Sequence, residues 1–284
     1  MIQFLTTLWS YGFMRNALLA GVLVSIACGI IGTLVVLNRI VFISGGIAHA
    51  AYGGVGIAYF LGADPVLGAV GFSLLSSLAM GLVHRKEGQR ADTIIGVMWA
   101  IGMAIGIIFL SLSPGYKADL MSYLFGSILA VSTMDLWLMA GIALLSLVFM
   151  LLFYWKLLAL SFDQTFATVR NVPVGPLYLA MITLIGLTVV IAMRVVGLIM
   201  VIALLTIPPA IANLYLKDMR AIMAVSAALS MLFCTVGLII SYVLNFPSGA
   251  VIILVAGLAY VLAALIRSLL LRRQVPEEGI AVIG

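Results

Sequence analysis

Only two histidines occur in this 284-residue chain, and their surroundings differ. His49 sits within VFISGGIAHAAYGGVGIAYF, where Gly45, Tyr52 and Gly56 share its helical face, so one imidazole projects from a helix otherwise nearly bare of side chains. With about 1.5 Å of rise per residue, His49 lies roughly 12 Å from the start of that run, deep inside any segment it forms. An imidazole there is either a ligand for an ion such as zinc, manganese or iron, or a core group satisfied by a neighbouring hydroxyl or carbonyl. His84 stands beside Arg85, Lys86 and Glu87 in a charged stretch, and a solvated role is expected. Cys28 and Cys234 both lie in apolar runs and read as small packing residues, with neither disulfide nor metal spacing. No Gly-Lys pair occurs, so the chain has no G-x-x-x-x-G-K-[ST] phosphate loop and cannot hydrolyse ATP by that route. No catalytic dyad or ligand cluster is visible within the apolar runs.

The elements that position these residues follow from composition. At 65% hydrophobic and 8% charged, the sequence is too apolar for a soluble globular chain, which carries about 25% charged residues. Apolar stretches of near-bilayer length fall at about 17–37, 41–61, 65–83, 91–113, 133–155, 176–193, 195–216, 221–244 and 248–271. The expected fold is all-α: a polytopic membrane helical bundle of about nine spans, or eight if the two stretches flanking Arg194 merge. The net charge of +5 is dispersed between apolar runs, which argues against nucleic acid as a partner and for a lipid bilayer.

Sidedness follows from the basic residues, because Lys and Arg concentrate in cytoplasmic connections. With the N-terminus outside and nine spans, eleven of the fourteen fall on the inner side: Arg39, Arg85, Lys86, Arg90, Lys156, Arg170, Lys217, Arg220, Arg267, Arg272 and Arg273. Arg15, Lys117 and Arg194 are left outside, and the C-terminus is cytoplasmic. Residues 1–16, with Trp9 and Tyr11, read as an interfacial helix preceding a permease domain at 17–271, and their lack of a basic leading region makes a cleaved signal peptide unexpected. The outer connection 112–132 opens with Ser113-Pro114-Gly115 and then turns apolar over too few residues to span, as a re-entrant or interfacial segment would. Residues 272–284 form a cytoplasmic tail.

Away from the span ends, His49 is essentially the one titratable side chain, and no Asp, Glu, Lys or Arg accompanies it. Ion-coupled carriers usually place such groups in their pathways, so a pump built on this chain draws its energy from a partner. The inner connection at 157–175 is the place for that partner to dock. Asp163 can cap a short helix over 161–172, Phe166 and Val169 lie on one side of it, and Arg170 stands near its C-terminal end, before Pro173 and Pro176. An ordinary interfacial turn has the same composition. In the seventh span, Thr206-Ile207-Pro208-Pro209 places consecutive prolines inside an apolar run, where they are expected to break or kink the helix, either lining a cavity or serving packing.

Five ordered pieces, FISGGIAHAAYGGVGIAY, ADTIIGVM, DLMSYLFGSILAVS, SFDQTFATVRNVPV and VVGLIMVIALLTIPPAIA, resemble the permease subunits of the manganese/zinc/iron family of ATP-binding-cassette importers over nearly the whole chain. The resemblance implies a multi-pass, non-catalytic subunit of a prokaryotic cytoplasmic membrane, paired as a homodimer. It further implies a cytosolic ATPase dimer, which uses ATP, and an extracytoplasmic metal-binding protein. The cargo would be a divalent metal ion, with no permanently bound cofactor, and Asp163, Phe166, Val169 and Arg170 would form the helix that fits the ATPase. Two family features are missing: Gly45 and Ser127 stand where an acidic residue is usual. His49 alone carries over as a transient ligand, with Ser44, Tyr52 and backbone near Pro208 as weaker donors. The alternative is a related importer for a chelated metal or a small organic solute.

Overall fold

The computed structural model describes residues 12–113, 126 and 131–274. Their order is α1 (Gly12–Leu37), α2 (Val41–Phe60), α3 (Pro65–Glu87), a short 3-10 turn (Gly88–Arg90), α4 (Ala91–Leu112), α5 (Thr133–Phe162), α6 (Gln164–Val169), α7 (Val174–Val196), α8 (Leu198–Tyr215), α9 (Met219–Leu244) and α10 (Ser248–Gln274). Among the described residues, all but α6 and the 3-10 turn are long and apolar enough to cross a membrane, which makes nine such helices. The all-α, nine-span expectation therefore holds, including the separation at Arg194.

That separation has a clear backbone cause. Gly197 alone stands between α7 and α8, with φ 84° and ψ 157°, a conformation that residues with a Cβ rarely adopt. Other helices start where the sequence supplies a cap. Asp64 accepts from Val66 N at 2.7 Å ahead of Pro65, and Asp218 accepts from Ala221 N at 3.2 Å. Ser132 and Asp135 form a reciprocal capping box at the start of α5. One expected boundary moves: α1 is already helical at Gly12, so residues 12–16 belong to the first span, with Met14 buried and Asn16 Nδ2 donating to Val131 O at 3.2 Å. Residues 1–11, the tail from 275, and most of the expected re-entrant segment lie outside the described residues, Ser127 among them.

α1, α2 and α7 are the most enclosed helices, whereas α4, α5 and α10 turn most of their surface outward. α2 packs against α3 and α4, α1 against α5, α8 and α9, and α7 joins the two groups through α2, α3, α5 and α8. A hydrophobic core outside a membrane relies on water to drive it; between lipid-solvated helices, close backbone approach through small residues takes over. The stripe Gly46, Ala50, Gly54 and Ala58 works this way. A Cβ at Gly54 would collide with the backbone of Gly68 on α3, and one at Gly102 on α4 would lie 2.8 Å from Ala50 Cα. Cys28 and Cys234 are buried free thiols, and Ser25 Oγ donates to Cys234 Sγ at 3.9 Å.

The basic connections gather at one end. Asn38 Nδ2 donates to Ser161 Oγ at 2.9 Å, and the Arg220 guanidinium lies 4.3 Å over the Tyr154 ring. The opposite end is held by Asp135 and Arg194.

Candidate functional site

His49 lies at the ninth residue of α2, and α4 is the helix that completes its surroundings. Trp99, Gly102 and Gly106 occupy one face of α4 at helical spacing. Gly102 rests on Ala50, and Gly106 against the backbone at Tyr52, which draws α4 close enough for Trp99 to reach the imidazole. The two rings are stacked, with centroids 4.2 Å apart and planes 18° from parallel. Trp99 is itself fixed: its Nε1–H donates to Met103 Sδ at 3.2 Å, and its ring lies 5.8 Å from that of Phe42. His49 is half-buried, yet its Nδ1 is fully covered and has no hydrogen-bond partner. A satisfied core histidine would have such a partner, so the hydroxyl- or carbonyl-bonded alternative is not met at Nδ1.

Ser44 is buried, and its hydroxyl donates to Val41 O at 2.8 Å within its own helix. Tyr52 is buried one turn beyond His49. Gly45, one turn before His49, has room: a Cβ there would meet nothing nearer than Ile202 Cδ1 of α8, at 3.9 Å. Among the described residues no three His, Cys, Asp or Glu side chains converge as a metal cluster.

Of the break or kink expected at Pro208 and Pro209, the break does not occur; α8 runs without interruption from Leu198 to Tyr215. The prolines leave the carbonyls of Leu204 and Leu205 without their usual helical donors. Leu205 O turns toward α1, where a Cβ at Gly32 would stand 2.5 Å from it, so a glycine is needed for that approach. Thr206 Oγ1 donates to Ile202 O at 2.8 Å and Ala203 O at 3.3 Å, occupying its hydroxyl within the helix. The interruption in this region falls instead at Gly197.

At the basic end the short helix forms where its cap predicts, over Gln164–Val169. Asp163 Oδ1 accepts from Phe166 N at 2.9 Å and stops α5 while starting α6. Ala167 is fully buried and anchors the turn, whereas Phe166 and Val169 are exposed at 54% and 77%. Two large apolar side chains so exposed on six helical residues form a protruding knob, and the Arg170 guanidinium stands 5.8 Å over the Phe166 ring. A groove beside the knob is lined by Arg85, Thr165, Thr168 and Val169.

Two pairings escaped the sequence reading. His84 is a residue of α3, not of a solvated connection, and its Nδ1 is 2.7 Å from the hydroxyl of Tyr178, a buried residue of α7. The charged neighbours masked a helix that runs to Glu87. At the opposite end Arg194 Nε lies 2.8 Å from Asp135 Oδ1, an ion pair joining α7 to α5. The Ser132-x-x-Asp135 spacing was the available signal for the acidic half.

Residues 10–267 match the ABC 3 transport family. The chain belongs to that family. A membrane protein of Synechocystis sp. is 55% identical over 267 residues, covering 94% of this chain and 95% of the relative. The manganese transport system membrane protein MntC of Halalkalibacterium halodurans is 35% identical over 260 residues, covering 92% and 89%. Among solved structures, PsaBC from Streptococcus pneumoniae, in complex with Fab, matches with TM-score 0.82 and 30% identity over 93% of this chain and 95% of that one. Membership accounts for the helical and multi-pass architecture and for the absence of a phosphate loop from the sequence, since in this family the ATPase is a separate subunit.

Proposed function

We propose that this chain is the permease subunit of an ATP-driven importer that moves a divalent transition metal ion across the cytoplasmic membrane of a prokaryote. The observation that carries the reading within the site is His49: a covered imidazole nitrogen without a partner, midway along the most enclosed part of the bundle. The manganese-transport names of full-length relatives at about a third identity support the cargo class. Two copies of the chain line the pathway, and the basic end is cytoplasmic. There the Phe166–Val169 knob docks into a cytosolic ATPase dimer, while an extracytoplasmic metal-binding protein delivers the ion at the opposite end.

Chemically, one imidazole per copy is a weak ligand set, which suits conduction, because an ion must leave as readily as it enters. Ser44 and Tyr52 flank it along α2, and Ile202 of α8 lies on the Gly45 side. Zinc, manganese and iron ions all accept imidazole nitrogen. Gly45 favours a second reading, in which the cargo is a chelated metal or a small organic solute, since no side chain fills the position one turn from His49.

The test is uptake of radiolabelled Mn2+ or Zn2+ into proteoliposomes containing the full complex. His49→Ala is expected to lower the rate at least tenfold or to abolish discrimination against Mg2+. Unchanged uptake and selectivity would remove His49 from the pathway. Transport by the chain without its ATPase would overturn the importer assignment.

A further inference from the structure

We infer that Trp99 is the positioning residue of the His49 site, holding the imidazole edge-on to the cargo and stabilising it when it carries an ion. The inference rests on the proposed role of His49. Three observations carry it. The indole lies flat against the imidazole at 4.2 Å and 18°, so it covers a face of the ring and not its edge, where the one in-plane lone pair of a neutral imidazole lies. Nδ1 is covered and has no hydrogen-bond partner, so among the described residues it is the stack with Trp99, and no hydrogen bond at that nitrogen, that fixes the ring. The indole cannot turn freely, because Met103 Sδ receives its N–H and Phe42 packs beside it.

Coordination of a divalent ion draws electron density from imidazole and makes the ring cation-like. A cationic group over an aromatic face is attracted by the ring quadrupole, most strongly by tryptophan, within about 6 Å of the centroid. Trp99 therefore interacts more strongly with the loaded ring than with the empty one. That difference is what raises affinity at a site poor in other ligands; an interaction equal in both states would contribute to folding only.

Co2+ serves as the probe, because imidazole coordination gives it visible absorption bands. Titrations on the purified full-length chain compare wild type, Trp99→Phe, Trp99→Leu and His49→Ala, with thermal unfolding recorded for each. The expected order of affinity is Trp, then Phe about twofold weaker, then Leu about three- to tenfold weaker, as loss of an aromatic contact predicts. Thermal midpoints should not follow that order. His49→Ala should lose the bands, and Mn2+ uptake by the reconstituted complex should fall in the same sequence. Equal affinity for wild type and both Trp99 variants, with bands lost in His49→Ala, would overturn the role of Trp99 and leave His49 in place. Bands retained in His49→Ala would overturn both. If Trp99→Leu does not fold, Trp99→Phe decides alone: about twofold weaker binding supports the inference, and unchanged binding overturns it.

Discussion

The two halves of α2 are built to opposite standards. From Gly53 to Ala58 the helix is jammed between α3 and α4, with backbone against backbone at Gly54–Gly68 and Gly56–Gly106. From Ile43 to His49 it meets side chains and not backbone: a Cβ at Gly46 would lie 3.0 Å from Ile95 Cγ2, Gly45 has only an ordinary contact with Ile202, and His49 carries a covered nitrogen without a hydrogen-bond partner. One half fixes where α4 stands; the other uses that fixed position to present a ring. In a membrane, where lipid removes the usual hydrophobic drive, the tight half supplies the precision the loose half cannot generate itself.

Breaking the tight half should have the largest effect. Gly54→Leu places a side chain into the Gly68 backbone, which cannot rotate away as a side-chain end would. Overpacking costs about 1–3 kcal/mol where neighbours can adjust and more where they cannot, so loss of about 3 kcal/mol or more, or failure to fold, is expected. Thermal unfolding in detergent and recovery of monodisperse protein measure it. A variant folding like wild type would mean that α2 and α3 are not in backbone contact.

In the loose half, removing the chemistry should leave the fold. His49→Leu relieves a covered polar atom lacking a partner, a burden of about 1–3 kcal/mol, and forfeits an aromatic stack of about 0.5–1.5 kcal/mol. The balance lies near zero or slightly stabilising. Transport and stability should therefore separate: uptake falls while the unfolding midpoint holds or rises. A midpoint that falls with uptake would make His49 a structural residue.

An intermediate case lies at the end where α5 meets α7. Asp135→Ala removes both half of a capping box and the partner of Arg194. Cap loss typically costs about 1 kcal/mol, and the ion pair adds little because Arg194 is partly exposed, so about 1–2 kcal/mol of destabilisation is expected. Asp135→Asn, which keeps an acceptor for the cap, should cost less; equal losses from the two would show that the charge, and not the cap, is what matters.

How much of this was legible in the sequence depended on whether the signal was local. Span number and the cap at Asp163 could be read because each depends on residues within a turn or two. The break expected at Pro208–Pro209 is not found, and the neighbour that makes room for the freed Leu205 carbonyl, Gly32 of α1, is far away in sequence. His84 was misplaced for a similar reason: charged neighbours describe a helix end as well as they describe a loop, and Tyr178 lies 94 residues away. The Trp99 stack was invisible, since no pattern in α4 alone says which residue α2 will present to it.

Gly45 gives the smallest and most telling contrast. A helical glycine costs about 0.5–1 kcal/mol relative to alanine through backbone entropy, and that gain is realised only where the new methyl meets no obstruction. At Gly45 a Cβ would find Ile202 Cδ1 at 3.9 Å, ordinary van der Waals contact, whereas at Gly56 it would strike the Gly106 carbonyl. Gly45→Ala should thus raise stability by about 0.5–1 kcal/mol while Gly56→Ala lowers it, a reversal of sign between two glycines of one helix. If Gly45→Ala also destabilises, the space beside His49 is not free in the folded protein, and the proposed pairing of two copies is the first place to look for what fills it.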